Sequence, residues 1–499
     1  MEHRKCKISD GAAYRAICGV FRKRRGGVTV ADVVAGTALP LETVRGLVND
    51  AADEYSARIS VTESGEILYS FPRGFTSRYR GFKATAKRAL GKVGRALKIA
   101  GAALFKAWIM IMLIGYFVLF MVIALAALVL SAAASNSSNN SNNRRDNSGG
   151  GLFFVSGIFD FIIRIWFYSE LTKSFDRHYG SYGRTAPRPK GRPLYKAIFS
   201  FVFGDGDPNA GMETRERQAV IAYIQANKGI ISLPEFMILT GTTGSEADSL
   251  VSAYCSEYGG MPEATEDGTV VYRFDALLLR ADRADRSSGG FSVPLKMTEK
   301  FSQNKTKMNV WFCLINSVNL IFGSYFFVNV MNSGHILTPR DFNAASFLYA
   351  RTYVMMNNFI ANPLPVISIG LGIVPFVFSL FFWLIPLARY ALLKKNNEKI
   401  KLENLRKNAF MFIWDKPGAV NLSDINPAQK ECRPKNMDRA RERVIKDMGQ
   451  YSIPDVSVNE SGEAVYSFNE LKREKDALFK YRSGINPGDS ELGKVIFKA

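Results

Sequence analysis

The sequence contains few of the residues from which catalytic and metal sites are usually built. It has 5 cysteines and 3 histidines among 499 residues. The cysteines are scattered, odd in number and never in C-x-x-C spacing, which argues against a disulfide framework and against a zinc or iron–sulfur site. The motifs H-E-x-x-H, G-x-x-x-x-G-K-[ST] and G-x-S-x-G do not occur either. These absences favour a protein that is not an enzyme and needs no cofactor.

Charge is missing from several long apolar runs, although the whole chain has a net charge of +20. Residues 107–131, 308–331 and 363–387 contain no charged residue and exceed the roughly 20 residues that cross a bilayer as a helix. Residues 152–168 are at the short limit and hold Asp160 and Arg164. The pattern predicts an α-helical membrane protein with about four spans, of which 152–168 either crosses or is re-entrant.

One pattern occurs three times: VTESGEILYSF at 61–71, ATEDGTVVYRF at 264–274 and VNESGEAVYSF at 458–468. Each copy predicts a β-hairpin around a Glu-(Ser/Asp)-Gly turn. The first two copies match upstream as well, at a constant spacing of 203 residues, as for Tyr55 and Tyr258. The order of helix, strand, helix, helix and hairpin is typical of a winged helix. The sequence therefore predicts three winged-helix-like α+β repeats, the third more loosely matched.

Winged helices often bind DNA through the second helix of their helix-turn-helix, which then faces phosphates. In the first two repeats this helix (41–55 and 245–258) is acidic. Only the third repeat offers a basic surface, and Asp438, Glu442 and Asp447 dilute it. Its cations are Lys435, Arg439, Arg441, Arg443 and Lys446. The charge favours binding of an unknown protein partner over binding of nucleic acid.

The segment 73–106 is rich in cations and has no acidic residue. Such a flank beside a span is expected on the cytoplasmic side, where it also attracts anionic lipid headgroups. The candidate headgroup ligands are Arg73, Arg78, Arg80, Lys83, Lys87, Arg88, Lys92, Arg95 and Lys98. The other interpretation is that these cations are a topology signal alone.

Loop charges predict that all three repeats lie on one side of the membrane. The loops assigned inside are dense in Lys and Arg, whereas 332–362 contains only Arg340 and Arg351. The start of the chain has no apolar signal region. We therefore expect a bacterial inner-membrane protein with both termini in the cytoplasm.

Two charged constellations are candidate sites. Asp160 and Arg164 are spaced i, i+4 on the second span and form either a functional intramembrane pair or a self-neutralising one. The second constellation resembles a calcium loop, because Asp205, Asp207 and Asn209 alternate and Glu216 stands at the twelfth place. Ala210 replaces the glycine of that loop, so the other interpretation is a turn that caps the next helix.

The strings FSFVFGDGDPN, ERQAVIAYIQANKGIISLPEF and LVSAYCSEYGGMPEATEDGTVVYRF resemble a poorly characterised membrane-protein family of photosynthetic bacteria and chloroplasts. That family is sometimes labelled as iron–sulfur cluster biosynthesis, a label that the cysteine spacing does not support. The resemblance is strongest over 193–274. It implies a membrane-bound winged-helix protein without an established reaction.

Three functions follow as hypotheses: a non-catalytic protein-interaction platform, a transport or channel component that uses Asp160 and Arg164 as a homo-oligomer, and a membrane-tethered nucleic-acid binder. The predicted boundaries are 8–72 (first repeat), 73–106 (basic segment), 107–131 (first span), 132–151 (Ser/Asn-rich loop), 152–168 (second span), 169–211 (linker with GDGDPN), 212–282 (second repeat), 308–331 (third span), 332–362 (external loop), 363–390 (fourth span), 396–478 (third repeat) and 479–499 (tail).

Overall fold

The computed structural model describes residues 10–24, 26–71, 82–136, 192–281, 291–333, 346–429, 432–460, 462–485 and 492–498. The chain divides into two compact units. Unit 1 comprises Met1–Leu90, Asp207–Glu299 and Lys394–Ala499, and unit 2 comprises Gly91–Gly206 and Lys300–Leu393. The three predicted repeats fall in unit 1, and the apolar helices fall mainly in unit 2.

The first part of unit 1, called module 1 (residues 10–71), contains three helices and a hairpin. The helices are α1 (Asp10–Lys23), α2 (Val30–Thr37) and α3 (Leu41–Glu54), and the strands are β1 (Arg58–Thr62) and β2 (Ile67–Ser70). The turn places Gly65 at φ 78°, a conformation that glycine adopts without steric cost. The predicted hairpin is therefore present, and Val28 pairs with Tyr69 on its other side.

The first apolar helix is longer than the sequence predicted. It consists of α4 (Phe82–Met110), a π-helical turn (Ile111–Gly115) and α5 (Tyr116–Asn136). The part apolar enough to cross a membrane is Ala96–Ala127. It begins before residue 107 because residues 96–106 carry only Lys98 and Lys106 as charges. The next described helix, α6 (Leu194–Phe203), lies in what the sequence predicted to be a linker.

Module 2 (residues 212–281) repeats the order of module 1, with a short strand where module 1 has the isolated Val28–Tyr69 pair. Its elements are α7 (Met212–Ala226), β3 (Ile230–Ser232), α8 (Leu233–Thr240), α9 (Gly244–Tyr258), β4 (Met261–Ala264) and β5 (Val270–Arg273). The strands form a sheet in the order β3-β5-β4, with both pairs antiparallel. A short 3-10 turn, Asp275–Leu277, follows the hairpin.

Two further helices are long and apolar enough to cross a membrane. The first is α10 (Thr306–Ser333), which agrees with the predicted span 308–331. A short helix, α11 (Phe347–Asn357), follows within the predicted external loop, so that loop is not wholly irregular. The second apolar helix joins a π-helical stretch (Val366–Ile373) to α12 (Val374–Asp415). The predicted second span, 152–168, lies outside the described residues.

Module 3 (residues 402–468) begins with the last turns of α12. It continues with β6 (Val420–Asn421), a 3-10 turn (Leu422–Asp424), α13 (Met437–Gly449), β7 (Asp455–Val458) and β8 (Ala464–Ser467). Its strands have the order β6-β8-β7, which matches the order in module 2. Two elements that the sequence did not predict follow: α14 (Asn469–Gly484) and β9 (Val495–Lys498), which pairs with β1.

One apolar core runs through the three modules of unit 1, and it includes residues such as Val33, Phe236 and Phe410, each 0% exposed. In unit 2, glycines allow α10 to pack closely on the last apolar helix. A Cβ on Gly323 would lie 2.9 Å from the backbone nitrogen of Phe376. Asn316 of α10 also donates a hydrogen bond to the Ser379 carbonyl at 3.0 Å. Close backbone approach and interhelical hydrogen bonds of this kind hold helices together in a bilayer.

Candidate functional site

The three modules share a polar contact between their first and third helices. In module 1 the Tyr14 hydroxyl donates to Glu54 at 2.5 Å, and in module 2 Arg217 pairs with Glu257. In module 3 Arg406 donates to Asp447 at 2.6 Å. The 203-residue spacing relates the first two pairs, since it places Arg217 at the position of Tyr14 and Glu257 at the position of Glu54. The same two helices are therefore joined at the same place in modules 1 and 2, whereas the module 3 pair lies about one turn away, because Asp447 stands at the position of Asp50 rather than of Glu54.

A second shared contact is an acidic residue at the start of the middle helix or turn. Asp32, Glu235 and Asp424 each accept a hydrogen bond from the backbone N–H three residues earlier, at 3.1, 3.0 and 3.3 Å. An acid at this position satisfies an otherwise unpaired N–H at the helix start and interacts favourably with the helix dipole. What differs among the modules is the group that neutralises the acid.

At the junction of modules 1 and 2, a segment of module 2 neutralises Asp32. This carboxylate is 0% exposed, and it accepts hydrogen bonds from Arg280 at 3.2 Å and from the Ala281 N–H at 3.0 Å. Arg24 pairs with it at 3.0 Å from within module 1. Nearby, the Tyr258 hydroxyl donates to the Ala38 carbonyl, at the end of α2, at 2.9 Å. The middle helix of module 1 is thus bound at both ends by module 2.

At the junction of modules 2 and 3 the arrangement is similar. Glu235 is 1% exposed and accepts two hydrogen bonds from Arg482, at 2.8 and 2.7 Å. Tyr223 also donates to it, at 2.6 Å. At the other end of α8, Arg406 of module 3 donates to the Gly241 carbonyl at 2.9 Å. In both junctions, an arginine that follows the next hairpin neutralises the buried acid, and another side chain binds the helix end.

Module 3 ends this succession. Asp424 is exposed, and within the described ranges it has no ion pair. The carbonyls of Ser423 and Ile425 accept hydrogen bonds from Arg441 of the same module, at 3.4 and 3.0 Å. In module 3, a side chain of the same module therefore binds the carbonyls at the end of the middle turn. In modules 1 and 2, the neighbouring module binds the carbonyl at the end of the middle helix.

The third helices remain at the surface, and their charges differ. On α3, Glu42, Asp50 and Asp53 are exposed beside Arg45, and on α9 the exposed charges are Glu246 and Asp248. The exposed charges on α13 are mixed: Asp438, Arg439, Glu442, Arg443 and Lys446. Two of the three exposed helix faces are thus acidic, as the sequence predicted.

The structure does not collect the calcium-like residues around a common point. Asp205 pairs with Arg192 and accepts hydrogen bonds from Ser200 at 2.6 Å and from the Gln303 N–H at 2.9 Å. Burial alone would raise the pKa of Asp205, but these donors outweigh it and lower the pKa to about 2. Among the described residues, no cluster of three or more His, Cys, Asp or Glu could hold a metal ion.

The remaining residues of that constellation also have other partners. Asp207 accepts a hydrogen bond from the Asn209 N–H at 2.8 Å, and the Asn209 amide pairs with both backbone groups of Met297, at 2.8 Å each. Glu216 accepts a hydrogen bond from the buried Lys407 at 2.6 Å. Asn209 does not cap α7, which begins after Gly211 without a side-chain cap.

Asn209 is one of three asparagines whose side chains hydrogen-bond the backbone of the extended segment before α10. The sequence did not predict this feature. Asn404 pairs with both backbone groups of Lys296 at 3.0 and 2.7 Å, and Asn397 does the same with Glu299 at 2.9 Å. Such pairs satisfy backbone groups that have no strand partner. Nothing in the spacing of these asparagines marks them, because their partners lie about a hundred residues away.

Several other predicted residues lie outside the part of the chain that the structure describes. These are Asp160, Arg164, Arg73, Arg78 and Arg80. Lys83, Lys87, Arg88, Lys92, Arg95 and Lys98 lie on α4, and the side chain of Lys98 is exposed. The headgroup site therefore stays a prediction.

Each unit also has a cavity. The cavity in unit 2 has a volume of about 410 Å³ and is lined by apolar side chains such as Trp108, Phe203 and Phe378. The cavity in unit 1 has a volume of about 460 Å³ and includes Asn408, Trp414 and Asp424 in its wall. The wall of the unit 2 cavity contains no titratable side chain, whereas that of the unit 1 cavity contains two carboxylates, Asp415 and Asp424.

The described residues define a mostly helical protein with three helices long and apolar enough to cross a membrane, together with small three-stranded sheets. Its relatives give no activity. The chain is 26% identical over 243 residues to an uncharacterized chloroplastic protein of Arabidopsis thaliana, an alignment that covers 46% of this chain and 42% of the plant protein. No family model matches the chain, and no solved structure matches it significantly. The plant protein is a distant homologue, which agrees with the resemblance to a chloroplast-type family.

Proposed function

We propose that this chain is an integral membrane protein whose three modules are winged-helix-like repeats that form a non-catalytic platform for protein interaction or assembly. The observation that carries this proposal is the acidic exposed face of α3 and α9. A winged helix that binds DNA places this helix against phosphates, and acidic residues there would be repelled. A protein partner with basic or polar groups would not be.

The junctions between modules support the same function. They use the middle helices and the segments after the hairpins, through the Asp32 and Glu235 contacts. Because the stacking of modules leaves the third helices at the surface, those helices stay available to a partner. A fixed stack also holds several surfaces at a constant spacing, which suits an assembly platform.

We further propose four spans, with 152–168 as the second, and the three repeats on the cytoplasmic side of a bacterial-type inner membrane. In this arrangement the cations of α4 contact anionic lipid headgroups. The three apolar helices and the location of all three modules in one compact unit support it. A reporter fused after residue 281 that reports an external location would contradict this topology.

The proposed function is tested by site-specific photo-crosslinking in intact membranes. A crosslinking amino acid replaces Asp50 on α3, and the control replaces Ile321 on α10, which is 66% exposed. We expect the Asp50 position to crosslink to a defined protein and the Ile321 position to crosslink to lipid. If instead the Asp50 position crosslinks to nucleic acid, in an amount that falls as salt rises, the protein-platform proposal is wrong.

A further inference from the structure

The outer edges of the three hairpins are equivalent in sequence and topology but differ in what covers them. In module 1, β9 covers the outer edge of β1, with Val61 facing Phe497 and Ser60 facing Lys498. Beyond this pairing, the Glu63 N–H donates to the Lys494 carbonyl at 2.9 Å. The segment 492–498 therefore adds a strand to the hairpin of module 1.

The hairpin pairing identifies the groups that face this outer edge. Tyr69 exchanges both its backbone hydrogen bonds with Val28, so its opposite residue on β1, Ile59, directs its backbone groups outward. The direction of the backbone N–H and C=O groups alternates from one residue to the next along a strand, so those of Val61 point outward too. In the other hairpins the equivalent outward residues are Pro262 and Ala264 on β4, and Val456 and Val458 on β7.

Module 2 blocks its outer edge. Pro262 stands at an outward position, and proline has no N–H to offer an incoming strand. The neighbouring Glu263 is also bound, since it accepts a hydrogen bond from Tyr481 of α14. Proline at an edge position is a common device that prevents strand addition.

Among the described residues, no strand pairs with the outer edge of module 3. All four residues of β7 are exposed, and Val456 and Val458 are 61% and 71% exposed. The sequence Val456-Ser457-Val458 on β7 closely matches Ile59-Ser60-Val61 on β1, and the same Glu-Ser-Gly turn follows both. An uncovered apolar edge strand can pair with other chains, and proteins usually protect such edges. An unprotected edge here is therefore a candidate binding surface.

The charges around the two matching edges agree at the turn and differ at the opposite end. In module 1 the carboxylate of Glu63 accepts the Lys494 N–H at 3.0 Å, and lysines 494 and 498 flank the added strand. In module 3, Glu460 stands at the position of Glu63, and Asp455 and Glu463 lie nearby in the chain. The module 3 edge therefore carries an acidic residue at each end, Asp455 and Glu460, whereas module 1 has Arg58 at the position of Asp455.

We propose that the outer edge of β7 binds a partner protein by β-strand addition, and that the partner offers an extended apolar strand flanked by lysines, as residues 492–498 do for β1. Main-chain hydrogen bonds supply the affinity in this mode, and alternate side chains supply the specificity. The chain's own segment is already seated on β1, so the strand comes from another protein. The inference rests on the proposed platform function, because it assigns one platform surface its type of partner.

The test uses a fluorescent peptide of residues 490–499, added to the full chain in detergent. Since the chain's own segment occupies β1, we expect one peptide to bind per chain. Val458→Pro removes an outward N–H without touching the bonds to β8, and should weaken binding at least about tenfold. Val458→Thr, which keeps the N–H and the β-branched shape, should bind the peptide as the parent does. Unchanged hydrogen exchange in β8 verifies that the proline variant is folded.

Stoichiometry gives an independent check. A chain that ends at residue 491 exposes both matching edges and should bind two peptides, and its Val458→Pro variant should bind one. Absence of binding to the full chain, or undiminished binding to the proline variant, would overturn the inference. Self-association of the full chain that the peptide dissolves would assign the edge to a second copy and would overturn it too. None of these outcomes affects the Asp50 crosslinking result, so the two proposals fail separately.

Discussion

Replacement of Arg482 by alanine should open the junction between modules 2 and 3. Arg482 donates two hydrogen bonds to the Glu235 carboxylate and a third to the Ile230 carbonyl, at 2.8 Å. After the substitution Glu235 keeps the Ser232 N–H and the Tyr223 hydroxyl as donors but loses its cation. The Glu235 side chain is 1% exposed in the intact junction, so the substitution leaves a buried carboxylate without its cation.

The size of the effect follows from this burial. Removal of one partner from a buried ion pair costs about 3–5 kcal/mol, because the remaining charge is left uncompensated. The two remaining donors to Glu235 place the expected value near the lower end, about 3 kcal/mol. A difference of this size corresponds to a change of more than about a hundredfold in an opening equilibrium. The amides of β3 and α8, which surround Glu235, should therefore exchange with solvent at least about a hundredfold faster.

Native-state hydrogen exchange of the full chain in detergent measures this change. Lys480→Ala is a matched control, because it removes a cation from the same helix. The Lys480 pair with Glu266 is exposed, with side chains 65% and 87% accessible. An exposed pair contributes little to stability, so exchange should rise far less than in Arg482→Ala. If both variants exchanged alike, the Arg482 contact would not hold the modules together.

Two further predictions follow from the packing of the apolar helices and from the burial of Glu474. Gly323→Ala places a Cβ 2.9 Å from a backbone nitrogen and should cost about 1–3 kcal/mol of stability, measured as a lower thermal midpoint in detergent. The control is Gly101→Ala, whose Cβ would have nothing within 4 Å and should not lower the midpoint. Equal midpoints would show that the close approach is absent. Burial raises the pKa of Glu474 from 4.5 to about 7, so the stability it gives when protonated is present below pH 4.5 and is lost as the pH rises through 7. This contribution is on the order of 3 kcal/mol, and Glu474→Gln should abolish the pH dependence of α14 exchange. A pH slope that persists in that variant would assign it to other groups.

Local patterns in the sequence predicted the helices and hairpins of the modules well. The Glu-(Ser/Asp)-Gly turns and the alternating strands around them mark the three hairpins, and uncharged runs mark the three apolar helices. These signals are local, because turn geometry and span length are properties of neighbouring residues. The acidity of α3 and α9 could likewise be read from the sequence.

The elements that the sequence did not predict depend on distant partners. The short apolar helices α6 and α11 pack against longer apolar helices of unit 2. Each is too short to be distinguished from a loop by its own sequence. The strand β9 forms by pairing with β1, which is more than 400 residues away in the chain. The Arg280 and Arg482 contacts join residues 248 and 247 positions apart. Nothing in the local sequence marks the two acids in these contacts as buried, because their burial depends on the stacking of the modules.

The differences between modules follow from their places in the stack. The middle helices of modules 1 and 2 are apolar, and α8 has seven buried residues because module 3 covers it. No described module covers the third, where an apolar helix of the same length would expose its side chains to water at roughly 25 cal/mol per Å². There the helix is reduced to the 3-10 turn Leu422–Asp424, and Arg441 binds the carbonyls that a neighbour binds elsewhere. Terminal units of stacked proteins need such a polar outer face. The loose sequence match of the third copy is therefore the expected consequence of its position, and restoring an apolar middle helix there should promote self-association rather than stability.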